Sequence, residues 1–202
     1  MKLYYSPGAC SLSPHIVIRE LGLPVELEKA DLGTKQTEKG SDFLTVNPKG
    51  QVPTLVLDDG QILTEGPVIV QYLADRKPEA GLLPAAGTME RYRVQEWLNH
   101  ITSELHKGFS PLFRPETPDD YKKIARANLQ KKYRAIDAQL KGRAYLMGDR
   151  FTVADAYLFT ITNWAANTGV DLSEFGNVQA YQKRIAERPR VHDALKEEGL
   201  VK

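Results

Sequence analysis

The chain has 202 residues, a formal net charge of +1, 42% hydrophobic residues and 26% charged residues. This balance is typical of a soluble globular protein of one or two domains, and it does not favour nucleic acid or an anionic membrane surface as the main partner. A single cysteine excludes an internal disulfide, no apolar run is long enough to span a membrane, and no metal site is expected. Because the N-terminus shows no basic start before an apolar run, we expect no signal peptide and a cytoplasmic location.

The first 76 residues alternate strand-like and helix-like segments. Strands are predicted at 2–5, 25–32, 53–57 and 61–63, helices at 11–21 and 65–74, and an irregular helix at 35–44. Asp58-Asp59-Gly60 separates the last two strands and predicts a hairpin, while Pro67 suits the first turn of a helix. The order β-α-β followed by β-β-α predicts a small α/β domain over residues 1–80.

The rest of the chain carries no strand signals. Residues 77–88 are rich in Pro and Gly and are interpreted as a linker. Helical patterns follow at 89–113, 119–140, 152–168, 177–187 and 190–197. The predicted fold class is therefore α/β plus all-α, with an all-helical domain over residues 87–202.

Cys10 lies in a Ser-Pro-Gly-Ala-Cys-Ser turn between a predicted strand and a predicted helix. The unpaired N–H groups and the dipole at a helix start favour a thiolate over a thiol. A lower thiol pKa also lowers the intrinsic nucleophilicity of the sulfur, so the gain from ionisation is small. The position therefore mainly predicts placement of the sulfur beside hydrogen-bond donors. The alternative is a small buried residue without chemistry.

Two other turns in the first domain combine special backbone with polar groups. Pro53 begins a strand, and a cis bond there would redirect the chain and leave the Val52 backbone free to pair with an extended peptide; the alternative is an ordinary turn. Glu65 opens a helix, where an acid complements the dipole. Alternatively, Glu65 accepts from a ligand ammonium while the helix-end N–H groups bind a carboxylate, which suits the end of an α-amino acid.

The helical half contains one polar helix face and one capping motif. Asn99, Ser103 and His106 are spaced four and three residues apart, so an α-helix places them on one face. A helical histidine of this kind is either structural or part of a site, and its neighbours leave both readings open. Thr152 and Asp155 have the spacing of a capping box and are interpreted as structural.

Five motifs in this order resemble the glutathione transferases, specifically the bacterial Beta class. They are Lys-Leu-Tyr-Tyr-Ser-Pro-Gly-Ala-Cys-Ser, Asn-Pro-Lys-Gly-Gln-Val-Pro, Leu-Thr-Glu-Gly, Trp-Leu-Asn with Glu-Leu-His-Lys, and Phe-Thr-Val-Ala-Asp-Ala-Tyr. The resemblance covers essentially the whole chain. It implies a thioredoxin-like N-terminal domain that binds glutathione as co-substrate, an α-helical C-terminal domain that carries most of the second-substrate pocket, and a homodimer.

The resemblance also implies roles for individual residues. Cys10 and His106 are the expected catalytic residues, with the Tyr5 and Ser11 hydroxyls as lesser candidates. Pro53 is the expected cis proline, and the expected glutathione-binding residues are Lys35, Gln51, Val52, Glu65, Gly66, Asn99, Ser103 and His106. Gly66 offers only its N–H where many relatives carry a side chain. Phe109, Phe113 and Trp164 are candidates for the apolar pocket, with plain core packing as the alternative.

The implied function is conjugation of the glutathione thiol to apolar small-molecule electrophiles, with thiol–disulfide exchange through Cys10 as a second activity. The alternatives are a glutathione-dependent disulfide reductase or dehalogenase, and a non-catalytic ligand carrier or regulator. The sequence leaves open whether Cys10 donates a hydrogen bond to the glutathione sulfur or forms a mixed disulfide with it. It likewise leaves open whether His106 moves a proton or orients the sulfur.

Overall fold

The computed structural model describes all 202 residues, and contacts divide them into two units. The first unit contains Met1–Gly81 together with Arg188–Lys202, and the second contains Leu82–Glu187. The sequence-based division placed residues 87–202 in the helical domain, so the structure differs at the C-terminal end. The last helix packs against the first helix of the chain, and this packing groups it with the N-terminal residues.

The first unit is built on a sheet of four strands, β1 (Lys2–Tyr5), β2 (Glu26–Lys29), β3 (Thr54–Val56) and β4 (Ile62–Thr64). The strand order in the sheet is β2-β1-β3-β4. β1 pairs with β2 in parallel and with β3 antiparallel, and β3 pairs antiparallel with β4. The predicted order β-α-β followed by β-β-α is confirmed.

The helices of this unit are α1 (Leu12–Leu21), α2 (Gly66–Asp75) and α9 (Pro189–Glu197). Leu3 and Leu55, which face each other in the sheet, are fully buried together with Ile16 of α1 and Ile69 of α2. Burial of these side chains supplies the main driving force for folding. Gly22 ends α1 in the left-handed conformation, as expected for a glycine C-cap.

The segment 35–44 forms no continuous helix, contrary to the prediction. Isolated bridges join Ala30 to Thr37 and Gln36 to Asp42, and only Phe43–Thr45 forms a 3₁₀ turn. The stretch has too few apolar side chains to bury one helical face. Instead, Phe43 alone is inserted into the core, where its ring centroid lies 5.4 Å from that of Tyr4.

The second unit is entirely helical. Its helices are α3 (Met89–His100), α4 (Lys107–Phe113), α5 (Asp119–Leu140), α6 (Val153–Thr162), α7 (Trp164–Thr168) and α8 (Gly176–Ala186). Every residue of α6 is buried, and this helix packs against α3, α7 and α8. No helix in the structure is both long enough and apolar enough for a membrane span.

The predicted helix over 89–113 is interrupted. A π-helical segment, Ile101–His106, separates α3 from α4. A π segment closes its hydrogen bonds from residue i to i+5, so spacing arguments for an α-helix do not hold across it. The predicted helix over 152–168 is likewise divided at Asn163 into α6 and α7.

A buried carboxylate links separate segments in each unit, Glu198 in the first and Asp155 in the second. In the first unit, Glu198 Oε1 lies 2.9 Å from His15 Nδ1, and Glu198 Oε2 accepts from the Gly8 N–H at 2.8 Å. His15 Nε2 lies 2.7 Å from Glu197 Oε2, so the buried imidazole is placed between two acids. These contacts attach the C-terminal segment to α1 and to the turn that carries Cys10.

In the second unit, Asp155 forms the capping box of α6 predicted from the sequence. Asp155 Oδ2 accepts from the Thr152 N–H at 2.8 Å, and Oδ1 accepts from the Leu146 N–H at 2.9 Å and the Tyr181 hydroxyl at 3.1 Å. All of these donors are uncharged. Burial raises the pKa of Asp155 to about 6, although the hydrogen bonds oppose this shift.

Candidate active site

Cys10 lies in the turn that precedes α1, and its thiol donates to the carbonyl of Val52, with 3.2 Å between sulfur and oxygen. This contact uses the thiol proton, which a thiolate lacks. The Leu12 and Ser13 N–H groups donate to the carbonyls of Ala9 and Cys10. These two N–H groups at the start of α1 are therefore used within the turn, although the sequence suggested that helix-start N–H groups favour a thiolate.

The lesser candidates Ser11 and Tyr5 have other roles in the structure. The Ser11 hydroxyl is buried, accepts from the Ser6 N–H at 3.1 Å and donates to the Ser6 carbonyl at 3.2 Å. It therefore closes the Cys10 turn. Burial, reinforced by nearby carboxylates, raises the pKa of Tyr5 above its ordinary value, so its phenol stays neutral at physiological pH.

Asn47 organises the turn that contains Val52 and was missed by the sequence analysis. Its buried amide donates to the Gln51 carbonyl at 2.9 Å and to the Thr54 hydroxyl at 2.9 Å. The Val52–Pro53 peptide bond is cis. The Val52 N–H has no hydrogen-bond partner within the chain, while the Gln51 side chain is exposed. An Asn-Pro start of a Pro/Gly turn is the sequence signal that points to Asn47.

The remaining predicted groups of the first unit surround the same turn. Lys35 has a positive φ of 61°, and its ammonium donates to the Gly50 carbonyl at 2.9 Å. A Cβ added to Gly66 would lie 3.7 Å from Pro53, so the start of α2 lies directly beside the cis proline. Cys10, Lys35, Val52 and Gly66 are thus connected through one loop.

Glu65 precedes α2 with a φ of 69°, a conformation that few non-glycine residues adopt. Its side chain is 62% exposed and forms an ion pair with Lys49 at 3.0 Å. A ligand ammonium at this carboxylate would compete with the Lys49 ammonium. Lys49 is a second residue that the sequence analysis did not single out.

In the second unit, His106 is the last residue of the π segment. Its Nδ1 lies 2.7 Å from the hydroxyl oxygen of Tyr157, which is in α6. Its ring packs edge-on against Trp164, with 4.9 Å between centroids. Tyr157 and Trp164 therefore both hold the His106 side chain. Sequence spacing did not reveal Tyr157, because 51 residues separate it from His106.

The predicted aromatic pocket residues form one cluster around Trp164. The Phe109 and Phe113 ring centroids lie 5.8 Å and 5.2 Å from that of Trp164. Phe109 is fully buried and also packs on Tyr133, whereas Phe113 is 52% exposed. Phe109 is therefore a core residue that supports the cluster, and Phe113 and Trp164 are its accessible members.

Asn99 and Ser103 are exposed, and the Ser103 hydroxyl donates to the Asn99 carbonyl at 3.1 Å. The π segment lies between Asn99 and His106, so the α-helical spacing that predicted one shared face does not apply. A cavity of about 550 Å³ lies elsewhere in this unit, and Arg93, Trp97, His100 and Arg143 are among its lining residues. It contains none of the predicted site residues.

Comparison with known proteins places this combination of domains among the glutathione transferases. The family models for the N-terminal and C-terminal domains of glutathione S-transferases match residues 8–76 and 100–189. Glutathione S-transferase GstA of Escherichia coli O157:H7 is 52% identical over 99% of this chain and 100% of its own length.

Solved structures agree with the sequence matches. A sphingomonad glutathione S-transferase complexed with glutathione superposes with a TM-score of 0.96 at 48% identity, with complete coverage of both chains. The bacterial beta class glutathione S-transferase of Sphingomonas chungbukensis superposes with a TM-score of 0.96 at 50% identity, again over both complete chains.

The chain therefore belongs to the glutathione S-transferase family, in its bacterial beta class. It is a transferase with a thioredoxin-like N-terminal domain followed by a helical C-terminal domain. The predicted fold class, family and enzyme class are confirmed.

Proposed function

We propose that this transferase conjugates the thiol of glutathione to apolar electrophiles, and that Cys10 acts on the glutathione sulfur. The observation that carries this proposal is the 3.2 Å contact between the Cys10 sulfur and the carbonyl of Val52. Val52 precedes the cis proline and keeps an unused N–H. A cysteinyl residue that pairs with the Val52 backbone in an extended conformation would bring its own sulfur next to Cys10.

The loop around Val52 also offers groups for the ends of the tripeptide. The Glu65 carboxylate suits the ammonium of the γ-glutamyl residue once Lys49 is displaced, and the Gly66 N–H suits the carboxylate on the same carbon. Lys35 offers a positive charge for the glycyl carboxylate, and Gln51 an exposed amide. These complementary charges favour glutathione over a neutral thiol.

The contact that the Cys10 thiol donates to the Val52 carbonyl supports a role of Cys10 as hydrogen-bond donor to the glutathione sulfur. A thiol that turns from the Val52 carbonyl to a glutathione thiolate stabilises the negative charge that the nucleophile needs. A disulfide route is a second activity of the same sulfur. In that route the Cys10 thiolate attacks oxidised glutathione, a mixed disulfide forms, and one glutathione leaves as a thiolate.

The second substrate is proposed to bind against Trp164 and Phe113, which are the accessible members of the aromatic cluster. Aromatic faces of this kind suit planar electrophiles such as chloronitrobenzenes. His106 is the polar group of this cluster, and we assign it the task of orienting the sulfur or moving its proton. Asn99 and Ser103 add exposed polar groups for the tripeptide.

We also propose that the enzyme is a cytoplasmic homodimer. Each unit exposes apolar side chains: Ile62 and Val68 in the first, and Met89 and Tyr92 in the second. An interface between two copies of the chain would bury these side chains. Light scattering after size exclusion, with Met89→Lys and Val68→Lys as variants, tests this. A monomeric wild-type chain contradicts the proposal.

The decisive experiment combines turnover with mass spectrometry. We expect the wild-type enzyme to conjugate glutathione to a chloronitrobenzene, and exposure to oxidised glutathione to add the mass of one tripeptide. Cys10→Ala is expected to lose the adduct, and Cys10→Ser, which keeps a donor for the Val52 carbonyl, to lose it as well. No turnover of any apolar electrophile contradicts conjugation, while an adduct that persists in Cys10→Ala contradicts the role of Cys10.

A further inference from the structure

Lys132 of α5 contacts the π segment two residues before His106. Its ammonium donates to the backbone carbonyl of Glu104 at 2.8 Å, and the same nitrogen lies 2.8 Å from the Glu104 carboxylate. One cation therefore binds both the main chain and the side chain of a single residue. The side chains of Lys132 and Glu104 are 31% and 45% exposed, so the pair is partly shielded from solvent and screened less by salt than a fully exposed pair.

The backbone of the π segment departs from regular helical pairing. The Lys107 N–H donates to the Thr102 carbonyl, five residues back, where an α-helix would pair residues four apart. Side chains supply further donors to the carbonyls of this stretch. The Thr102 hydroxyl donates to the Leu98 carbonyl at 2.8 Å, but Thr102 belongs to the segment itself. Lys132 comes from a second helix, so its contact fixes the position of the segment relative to α5.

A second close contact with α5 lies two residues after His106. Gly108 is in α4, and a Cβ added to it would lie only 2.9 Å from the side chain of the buried Leu129. The absence of a side chain at Gly108 therefore permits this close approach of α4 to α5. Leu129 and Lys132 are three residues apart in α5 and lie on one face of that helix. His106 is thus bracketed by two contacts with the same face of α5.

We infer that Lys132 is a positioning residue for His106: by binding Glu104, it fixes the π segment that carries the His106 side chain. The contacts of His106 require an accurate backbone position. Its Nδ1 lies 2.7 Å from the Tyr157 hydroxyl oxygen, and its ring centroid lies 4.9 Å from that of Trp164. A hydrogen bond of this length is lost when its atoms separate by about 1 Å more, so a small shift of the segment would disturb the network.

The inference deepens the proposed function and rests on it for its effect on catalysis. His106 is assigned the task of orienting the glutathione sulfur or moving its proton, and misplacement of such a group lowers turnover more than it lowers binding. Lys132 acts through the backbone and needs no contact with either substrate. Its effect on the position of His106 is independent of catalysis and is measured without it.

The first test observes the π segment and His106 directly. Lys132→Met keeps the apolar stem and removes the ammonium. We expect amide hydrogen exchange at Lys107, whose N–H closes the π hydrogen bond, to become about 10-fold faster. The His106 ring signals in ¹H–¹³C spectra, assigned with His106→Gln, are expected to shift because the ring moves relative to Trp164. Unchanged His106 signals in Lys132→Met overturn the inference.

Two further variants separate positioning from a general effect on α5. Lys123→Met is the matched control, because Lys123 lies in the same helix and its ammonium pairs with Asp120 of that helix at 3.0 Å. We expect wild-type exchange and wild-type ring signals in this variant. Lys132→Arg keeps a cationic donor and is expected to restore most of the wild-type behaviour. Equal changes in Lys123→Met and Lys132→Met would mean a general loosening of α5 and overturn the inference.

Kinetics extend the test to turnover. Lys132→Met is expected to lower kcat for a chloronitrobenzene about 3- to 10-fold, while the KM for glutathione stays within about twofold. In a His106→Gln background, the same substitution should have no further effect on kcat. Effects that multiply in the double variant overturn the inference. If the wild type shows no transferase activity at all, the proposed function fails, and the His106 signals still decide the role of Lys132.

Discussion

The two units carry candidate functional groups of different kinds. In the first unit, backbone groups of one turn provide the contacts, and the Val52 carbonyl and N–H and the Gly50 carbonyl are its central members. In the second unit, side chains from separate helices provide them, with His106, Tyr157 and Trp164 in one network. A backbone site suits a constant partner such as a tripeptide. A cluster of side chains can be changed by single substitutions, which suits a partner that varies.

Two buried acids, Glu198 in the first unit and Asp155 in the second, differ in the partners that surround them. Glu198 is paired with His15, which has a carboxylate oxygen within hydrogen-bond distance of each ring nitrogen. Asp155 has only neutral donors around it. Glu198 therefore has an ionisable partner, and Asp155 has none among the donors named here. Substitutions of these acids are therefore expected to change stability more than the substitutions discussed later change catalysis.

The largest effect is expected from Glu198→Ala. The substitution leaves His15 and the Gly8 N–H without their buried partner, and breaking a buried pair typically destabilises by about 3–5 kcal/mol. Urea denaturation measures the loss. Glu197→Ala is the matched control, because the side chain of Glu197 is 42% exposed, and its removal is expected to cost less. Equal losses in the two variants would contradict a special role for Glu198.

Asp155→Ala is expected to destabilise the second unit by about 2–4 kcal/mol, because it removes a helix cap and leaves the Leu146 and Thr152 N–H groups unpaired. Thermal and urea denaturation report the effect. Asp155→Asn keeps one acceptor oxygen and should lose less. A loss in Asp155→Ala below about 1 kcal/mol would show that water or neighbouring groups replace the carboxylate.

The pH dependence of stability tests the burial of Asp155. Because the pKa of Asp155 is raised from 3.8 to about 6, the folded state holds this proton more tightly than the unfolded state does. The contribution of Asp155 to the free energy of unfolding is complete below about pH 4. It falls by up to about 3 kcal/mol between about pH 4 and 6 and is constant at higher pH. The measurement is the unfolding free energy of the wild type minus that of Asp155→Asn. A difference that rises with pH would contradict burial as the dominant effect.

Glutathione binding tests the backbone site of the first unit. Glu65→Gln removes the charge that attracts the ligand ammonium and is expected to raise the KM for glutathione about 10-fold, with a smaller effect on kcat. Lys49→Ala removes the competing ammonium, so the KM of this variant for glutathione should equal that of the wild type or be lower. A rise in KM of similar size in both variants would mean that the ion pair itself, and not the free carboxylate, supports binding.

The smallest effect is expected at the aromatic cluster. Trp164→Leu keeps an apolar side chain but removes an aromatic face, and the KM for a chloronitrobenzene should rise about 3- to 5-fold while that for glutathione is unchanged. Phe113→Leu, at a half-exposed position, should have a weaker effect of the same kind. If either variant lost affinity for glutathione selectively, the assignment of these rings to the second substrate would be contradicted.

The sequence predicts local turns and caps better than contacts between distant residues, and the reason is physical. The Pro/Gly turns at Cys10, Pro53 and Glu65 are local, so their special backbone is visible in the residues themselves. The capping box of Thr152 and Asp155 is local as well. The contact between His106 and Tyr157 joins residues 51 positions apart. It also depends on a π segment that no residue pattern in the sequence indicates. The same holds for Glu198, whose partners lie at the other end of the chain.

A crystal structure of the enzyme with glutathione is the most direct measurement of the proposed chemistry. We expect the cysteinyl residue of glutathione to pair with the backbone of Val52, and its sulfur to be in hydrogen-bond contact with, or bonded to, the sulfur of Cys10. A tripeptide bound away from this turn, or a Cys10 thiol that still donates to the Val52 carbonyl with glutathione in place, would contradict the proposed role of Cys10.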